Sequence, residues 1–335
     1  MEISQPMFCE KASNLAASQV TVVIPAYNPG SFLDEALRSV AAQTAPPGRV
    51  IVIDDGSDPP VRPEAGPWPF QLDFLRLDHA GQAAARNAGL AAWTTDLIAF
   101  LDADDVWHPL KLEWQLVALI RHPTAACVGC RAILIDGTGH CTGLGPGGNS
   151  ARILPLDRTS FIQGAADGIL VPSMVLMRRG PWLPPGGFDG AFHTEDLVYF
   201  DEFFAREGEA MVVDLPLLKR RMHGGNLTFA YRNMLRGYMK WLKERVEPDC
   251  GPVVAGRLHA RLLLICGLSA LAVGNGPEAR QLLRRALAAG AGGKALAGFL
   301  FACLGPEIAS VVRRGRHAMA GRMAARRWSS IPRPS

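Results

Sequence analysis

The sequence lacks an apolar run that is long enough to cross a bilayer. The long stretches without a charged residue, 12–33 and 262–277, are interrupted by glycine, serine, asparagine and proline, whereas a membrane-spanning helix needs about 20 mainly apolar residues. Residues 1–19 also lack the basic and then apolar pattern of a secretory signal. We therefore expect the protein to be cytoplasmic.

The chain has no net positive charge until its C-terminal end. The formal net charge is +4 at pH 7, but seven arginines and no acidic residue follow Glu307. The preceding chain is therefore slightly acidic, and we expect no nucleic-acid binding. Residues 308–328 mix arginine with isoleucine, valine, methionine and tryptophan. This pattern is typical either of a basic helix in peripheral contact with the inner face of an anionic membrane or of a solvated tail.

The cysteines lack the pattern of a zinc site or a disulfide framework. Cys127 and Cys130 form a CxxC pair, but no second pair stands at zinc-site spacing. The odd count of seven cysteines and their apolar neighbours indicate reduced thiols. We interpret Cys127 and Cys130 as buried strand residues, with a metal or redox role as the alternative.

The first hundred residues alternate between strand and helix patterns. Apolar runs predict strands at 20–28, 49–57, 71–77 and 97–101. Helical spacing follows Ser31, which is a candidate cap, and covers residues 81–93. This alternation predicts an α/β fold with a mostly parallel sheet, in which the polar ends of several strands meet along one edge.

Residues 97–105, LIAFLDADD, join an apolar run to three carboxylates. Ligands of open α/β sheets bind at the carboxyl ends of the strands. If the strand geometry persists, Asp102 and Asp104 point to the same side. Two converging carboxylates favour a cation with hard oxygen ligands, Mg²⁺ or Mn²⁺. By itself the pattern is also typical of an acidic turn that only ends a strand.

Four linked segments resemble a known family. VTVVIPAYN (20–28), RVIVIDDGS (49–57), GQAAARNAGL (81–90) and LIAFLDADDVW (97–107) follow one another as in the family 2 glycosyltransferases, and weaker similarity extends to about residue 228. The resemblance implies a GT-A fold, which is a Rossmann-like, mostly parallel mixed sheet with flanking helices. It also implies that a sugar moves with inversion from a nucleotide-sugar donor, usually a UDP-sugar, to an acceptor hydroxyl. Such enzymes often make polysaccharide, lipopolysaccharide or glycolipid, so the acceptor is expected to be a saccharide or lipid-linked.

The resemblance also assigns residues to the donor side. Those expected to border or contact the nucleotide sugar are Pro25, Ala26, Tyr27, Asn28, Asp54, Asp55, Arg86, Asp102 and Ala103. Asp102 and Asp104 are expected to hold the divalent cation, with His223 of the RMHGGNLT loop as a further ligand or as a loop residue without a role. His79-Ala80-Gly81 departs from the Asn-Gly pair of many relatives.

On the acceptor side, the resemblance implies that Asp196 is the catalytic base. Glu195 is the reserve candidate, and a carboxylate in this role gains from a pKa raised by burial and by its neighbour. The alternative is that both acids only stabilise the start of a helix. The sequence departs from its relatives shortly afterwards, since Glu202 stands where many have an arginine, with Asp201 beside it.

The second half of the chain reads as helical. Residues 278–289 are amphipathic, and together with 259–272 they resemble a helical hairpin. We expect an N-terminal extension (1–19), a GT-A domain (20–230) and an α-helical C-terminal appendage with a basic tail (231–335).

Three other functions compete with this interpretation. A sugar-nucleotide pyrophosphorylase needs a glycine-rich, arginine-containing loop after its first strand, which residues 25–28 do not provide. A phosphatase with an aspartyl nucleophile needs threonine or valine after its second aspartate, where Asp105 stands. A non-catalytic scaffold would have lost its metal site or its base, and both are present here.

Overall fold

The structure is a computed structural model that describes residues 16–62, 66–145, 150–222, 230–303 and 320–334. The first hundred residues fold in the predicted order of elements. The strands are β1 (Val20–Ala26), β2 (Arg49–Asp54), β3 (Gln71–Arg76) and β4 (Leu97–Phe100), and the helices are α1 (Phe32–Ala41) and α2 (Gln82–Ala92). Ser31 precedes α1, but contrary to the prediction its side chain makes no capping hydrogen bond within the described chain.

One mixed sheet forms the centre of the fold. Its later strands are β5 (Val106–Trp107), β6 (Cys127–Asp136), β7 (Cys141–Leu144), β8 (Ile153–Leu156), β9 (Leu176–Arg178) and β10 (Ala210–Met222). The strand order is β3-β2-β1-β4-β9-β6-β10-β5, with β7 beside β6 and β8 beside β10. β1, β2, β3 and β4 are parallel, whereas β9 runs antiparallel between β4 and β6. The carboxyl ends of the first four strands therefore share one edge.

Helices cover both faces of this sheet and continue beyond it. They are α3 (Lys111–Arg121), α4 (Arg158–Gly164), α5 (Glu195–Ala205), α6 (Tyr231–Trp241), α7 (Glu247–Ala272), α8 (Gly276–Ala288), α9 (Gly293–Cys303) and α10 (320–329). A π-helical segment, Leu242–Val246, joins α6 to α7. The predicted amphipathic face of α8 is confirmed, since Ala279, Leu282, Leu283 and Ala286 are buried.

The C-terminal helices share a hydrophobic core with the sheet. Buried residues of β1 and α5 belong to the same cluster as buried residues of α6, α7 and α8. Asp201 of α5 is buried and accepts hydrogen bonds from Arg158 Nε (2.8 Å) and Trp241 Nε1 (2.9 Å). Asp201 thus ties α5 to α4 and α6. Its neighbour Glu202 pairs with Arg245 across 3.6 Å, so this departure from the relatives is part of the packing of the C-terminal helices.

One helical stretch is long and apolar enough to span a membrane, contrary to the reading of the sequence alone. It is Tyr231–Ala272, 42 residues with a mean hydropathy of 1.4 in its most apolar window. Trp241, Leu262 and Cys266 of this stretch are fully buried in the shared core. Packing within the protein therefore accounts for part of the apolar character of the stretch, since 44% of that window is buried.

Residues 320–334 return to the sheet. The Trp328 ring meets His108 edge-on with ring centroids 4.7 Å apart, and the Lys219 ammonium lies 4.7 Å from the centre of the same ring. Trp114 Nε1 donates to the carbonyl of Pro332 at 2.9 Å. Trp328 ends the segment 308–328, for which peripheral membrane contact was one of two predictions, and it packs against His108 and Lys219. Residues 308–319 lie outside the described residues.

The CxxC pair is structural, as predicted. Cys127 and Cys130 are both fully buried on β6. Burial raises the pKa of the Cys130 thiol to about 11, which keeps it protonated and unreactive at neutral pH.

Candidate active site

A cleft of about 1010 Å³ opens at the carboxyl ends of β1, β2 and β4. Residues that follow these strands form one wall together with Arg221 of β10, and residues of α5, α6 and α7 form the other. This is the edge of an α/β sheet where ligands bind. The structure thus gathers segments from both halves of the chain around a single cavity.

The end of β1 is fixed by hydrogen bonds to the loop after β2. Asn28 has a φ of 45°, in the left-handed region that asparagine adopts more readily than most residues. Its backbone N–H donates to Ser57 Oγ, and its side chain accepts from the Asp58 N–H, each at 2.9 Å. Tyr27 remains 52% exposed and stacks on His79 with ring centroids 4.1 Å apart. A rigid loop therefore carries an exposed aromatic pair at the cleft.

The two carboxylates at the end of β2 have different surroundings. Asp55 lines the cleft, and its two oxygens accept from consecutive backbone N–H groups just before α2, at 2.7 and 2.9 Å. Asp54 instead accepts from the Ser57 N–H at 2.9 Å and forms an ion pair with Arg76. Asp54 thus holds the loop, whereas Asp55 faces the cavity and fixes the start of α2.

The segment from Asp102 to Asp105 is a turn. β4 ends before it, and the Asp105 N–H donates to the carbonyl of Asp102 at 3.0 Å. The strand geometry that would point Asp102 and Asp104 to the same side therefore does not persist beyond β4. Nevertheless Asp102, Ala103 and Asp104 all line the cleft, because the turn directs this segment into the cavity.

Arg221 of β10 anchors this turn. It is buried, its backbone N–H donates to Asp105 Oδ1 at 2.9 Å, and its Nε donates to the Asp104 carbonyl at 2.8 Å. Its guanidinium also forms an ion pair with Glu35 and lies 4.6 Å from the centre of the Phe32 ring. The acidic turn is therefore held against both α1 and β10.

The acidic turn fits a divalent cation. Burial raises the pKa of Asp105 well above its ordinary value, and the charges of Asp104 and Asp102 raise it further, so negative charge is crowded at this point. Carboxylate oxygens suit Mg²⁺ or Mn²⁺, and Mg²⁺ commonly completes its shell with substrate phosphates. The described residues contain no group of three or more His, Cys, Asp or Glu that could hold a metal. The third predicted ligand, His223, lies outside them.

Arg86 joins the two walls of the cleft. Its Nη2 donates to Asp102 Oδ1 at 2.8 Å, and its Nη1 donates to Glu195 Oε1 at 2.7 Å. Burial lowers the pKa of Arg86, but the charges of Asp102, Glu195 and Asp196 outweigh this effect and raise it. The buried Arg86 Nε finds no hydrogen-bond partner in the described part of the chain. The guanidinium that was predicted to lie near the nucleotide is thus engaged by carboxylates on both sides.

Glu195 and Asp196 begin α5 and face the acidic turn across the cleft. Asp196 Oδ1 accepts from the Leu197 N–H at 2.8 Å, so it does support the start of the helix. Burial and the negative charge of Glu195 raise the pKa of Asp196 to about 6, against the opposing effect of Arg86. A carboxylate whose pKa lies near neutral pH can accept a proton from a substrate hydroxyl. The structural and catalytic readings of Asp196 are therefore compatible.

The structure brings most of the predicted site residues to this cleft. Those that line it are Pro25, Ala26, Tyr27, Asn28, Asp55, Arg86, Asp102, Ala103, Asp104, Glu195 and Asp196. Cleft residues that sequence reasoning missed include Arg220, Met234, Tyr238 and Ile265. Only Arg220 had a local signal, namely its position beside a second arginine just before the 223–228 loop.

The mixed sheet with its flanking helices is a GT-A-like fold, and this fold defines the structural class of the protein. The fold is similar to that of S. aureus TarS 1-349 in complex with UDP-GlcNAc, with a TM-score of 0.55, 16% identity and coverage of 81% of each chain. Residues 21–181 match the family model for glycosyl transferase family 2. This match covers just under half of the 335 residues of the chain.

Curated relatives that match part of this chain include proteins named as glycosyltransferases. The chain is 36% identical over 123 residues to an uncharacterised glycosyltransferase from Nostoc sp., a match that covers 36% of this chain and 38% of the relative. It is 35% identical over 185 residues to the pre-mycofactocin glycosyltransferase of Mycobacterium tuberculosis, covering 52% and 36%. It is 42% identical over 100 residues to the succinoglycan biosynthesis protein ExoW of Rhizobium meliloti, covering 28% and 31%. The chain thus spans little more than a third of the length of the first two relatives.

Proposed function

We propose that the protein is an inverting, metal-dependent glycosyltransferase that moves a sugar from a nucleotide donor to an acceptor hydroxyl. The observation that carries this proposal is the pair of carboxylate sites on opposite walls of one cleft, Asp102 with Asp104 and Glu195 with Asp196, linked through Arg86. One wall suits the leaving diphosphate, and the other suits a hydroxyl that must lose a proton. UDP-sugars are the first donors to test.

The donor wall binds and orients the nucleotide. Tyr27 offers an exposed aromatic face to the base, and the polar groups after β1 and β2 lie beside it. When bound, Mg²⁺ or Mn²⁺ on Asp102 and Asp104 supplies charge neutralisation for the leaving diphosphate. Arg86 holds Asp102 in place through its 2.8 Å hydrogen bond.

The acceptor wall moves the proton. Asp196 accepts it from the acceptor hydroxyl as that oxygen attacks the anomeric carbon from the face opposite the diphosphate, which gives inversion in a single displacement. Glu195 raises the basicity of Asp196 by charge repulsion and is itself fixed by Arg86. Arg86 thus positions both carboxylate sites at a set separation.

The product class and location belong to the same proposal. One relative is named as a succinoglycan biosynthesis protein, which favours polysaccharide or a related glycoconjugate as the product. We place the enzyme in the cytoplasm, with residues 308–328 as the segment for a peripheral membrane contact.

A donor screen tests the proposal. The purified full chain is incubated with UDP-, GDP- and dTDP-sugars and Mn²⁺, with and without EDTA, and released nucleotide is measured. We expect release from one donor class and loss of release with EDTA. Absence of release from every donor, or release that is indifferent to EDTA, would contradict the proposed function.

A further inference from the structure

We infer that the C-terminal helices complete an acceptor subsite for an apolar group, such as the alkyl chain or aromatic ring of a glycoside or lipid-linked sugar. The inference rests on the proposed function, because it concerns the second substrate of the same cleft. It assigns α6 and α7 a direct part in substrate binding, beyond packing against the catalytic domain.

The subsite lies beside Glu195 and Asp196. Met234 and Ile265, from α6 and α7, line the cleft on this side, together with Leu170 and Val171 from the chain that leads into β9. These four side chains come from three separate parts of the sequence. Because they line the same cavity as the proposed base, an acceptor bound there has an apolar surface within reach.

The opposite wall has a different chemical character. There the lining groups include Asn28, Asp55 and Asp104, which suit the hydroxyl, phosphate and base groups of a nucleotide sugar. A sugar pressed against Met234 and Ile265 would lose hydration of its hydroxyls without regaining hydrogen bonds, which is unfavourable. An alkyl or aromatic group would instead gain by leaving water.

Tyr238 supplies a polar group within this apolar wall. It lies on α6, lines the cleft and is only 9% exposed. Gly237, the residue before Tyr238, packs closely against Thr194, which precedes Glu195 and Asp196. In agreement with this packing, the charge of Asp196 contributes, after burial, to raising the pKa of the Tyr238 phenol. A buried phenol usually finds a hydrogen-bond partner, and an acceptor oxygen entering beside Asp196 would provide one. Tyr238 is therefore a positioning residue for the acceptor.

Paired glycosides test the subsite directly. Binding of hexyl and methyl β-D-glucopyranoside to the full chain with UDP and Mn²⁺ is measured by calorimetry, below the micellar concentration of the hexyl compound. The two probes differ only in five methylene groups, so their affinity ratio isolates the apolar contact. We expect the hexyl glycoside to bind roughly tenfold more tightly, less than full burial of the chain would give because the cleft is open.

Two polar substitutions and a matched control locate the contact. Ile265→Asn and Met234→Gln are expected to reduce the hexyl-to-methyl affinity ratio to about twofold. Leu268→Asn, on the same helix but 41% exposed and outside the cleft, is expected to keep the wild-type ratio. Thermal unfolding of each variant shows whether it is folded. If Ile265→Asn does not fold, the affinity ratio of Met234→Gln decides the test.

The outcomes separate this inference from the proposed function. Equal affinity for the two probes, no binding of either, or an unchanged ratio in both cleft variants would overturn the apolar subsite. Nucleotide release from a donor by the wild-type protein, measured without glycoside, tests the proposed function by itself. A protein that releases nucleotide but does not prefer the hexyl probe would keep the function and lose the subsite.

Discussion

The two walls of the cleft are built by different means. The donor wall consists of short loops after β1, β2 and β4, whose polar groups are held by nearby backbone, as Asp55 is by the N–H groups before α2. The acceptor wall is assembled from α5, α6 and α7, which share one hydrophobic core and are joined by long-range contacts such as the hydrogen bond from Trp241 to Asp201. Local sequence can therefore specify the donor wall, whereas the acceptor wall depends on tertiary packing.

Arg86 is where the two walls meet. It comes from a donor-side helix, yet it donates to both Asp102 and Glu195. The walls are thus chemically distinct but mechanically coupled. Substitutions on one wall, on the other and at the bridge should therefore give separable effects on donor hydrolysis and sugar transfer.

The largest effect is expected on the donor wall. Asp104→Ala removes a proposed metal ligand and should lower both donor hydrolysis and transfer by about 10³-fold, because charge on the leaving diphosphate is no longer neutralised. Released nucleotide, measured with and without acceptor, checks this. The matched control is Asp78→Ala, an exposed carboxylate after β3, which should behave like wild type. If Asp104→Ala turns over donor at the wild-type rate, Asp104 is not a ligand of the metal.

The proposed base should affect transfer alone. Asp196→Asn is expected to keep nucleotide binding and to lower transfer by roughly 10²- to 10³-fold, since the amide cannot take up the proton. Calorimetric titration with the nucleotide and a transfer assay separate the two quantities. If the variant transfers sugar at the wild-type rate, Asp196 is not the base.

The same variant should be more stable at neutral pH. The folded-state pKa of Asp196, about 6, lies above its ordinary value of 3.8, so the folded protein binds this proton more tightly than the unfolded chain does. The stabilising effect of that proton is present below pH 3.8 and is lost as pH rises through about 6. Asp196→Asn removes the cost of ionisation at pH 7 and should raise the free energy of unfolding by roughly 2–3 kcal/mol. Chemical denaturation at pH 7 and at pH 4 checks this, and the gain should shrink at pH 4.

Substitution at the bridge should disturb both walls. Arg86→Lys keeps a positive charge but cannot donate to two carboxylates in a fixed geometry, so transfer should fall by about 10²-fold through misplacement of Asp102 and Glu195. The control is Arg76→Lys, which alters an exposed partner of Asp54. Wild-type kinetics in Arg86→Lys would show that the two walls act independently.

The smallest expected effect is the change in the transfer rate with pH. Asp196 acts in its ionised form, so transfer should fall about tenfold for each pH unit below 6 and level off above 7. The groups that face it are Glu195, Arg86, Arg220 and Tyr238. The rate of transfer at saturating donor, measured from pH 4.5 to 8.5, checks this. A flat profile across pH 5 to 7 would show that Asp196 does not limit the rate.

Much of the donor wall could be predicted from sequence because its signals are local. Apolar runs ending in polar residues marked β1, β2 and β4, and these strand ends do meet along one edge of the sheet. The turn from Asp102 to Asp105 was only one of two interpretations of that segment, because a strand pattern does not show where pairing stops. The roles of Asp54 and Asp55 could not be separated either, since both follow the same apolar run and differ only in their tertiary partners.

The acceptor wall and the bridge were less accessible to sequence reasoning. Arg86 and Glu195 are 109 positions apart, and no spacing rule joins them. Tyr238 and Ile265 lie on helices whose apolar residues all read as core, because helical periodicity does not distinguish a cavity from a packed interior. Only the three-dimensional arrangement of α6 and α7 reveals which of these residues meet the cleft.

The bridge through Arg86 also limits how the two walls can diverge. A change at Asp102, Arg86 or Glu195 leaves a buried charge without its partner, so viable substitutions at these positions should be epistatic and should occur together. A chimaera that exchanges the acceptor helices with those of a relative, in order to alter acceptor choice, must carry a glutamate that reaches Arg86. The acceptor helices can therefore be exchanged as a unit only if the ion pair between Arg86 and Glu195 is kept.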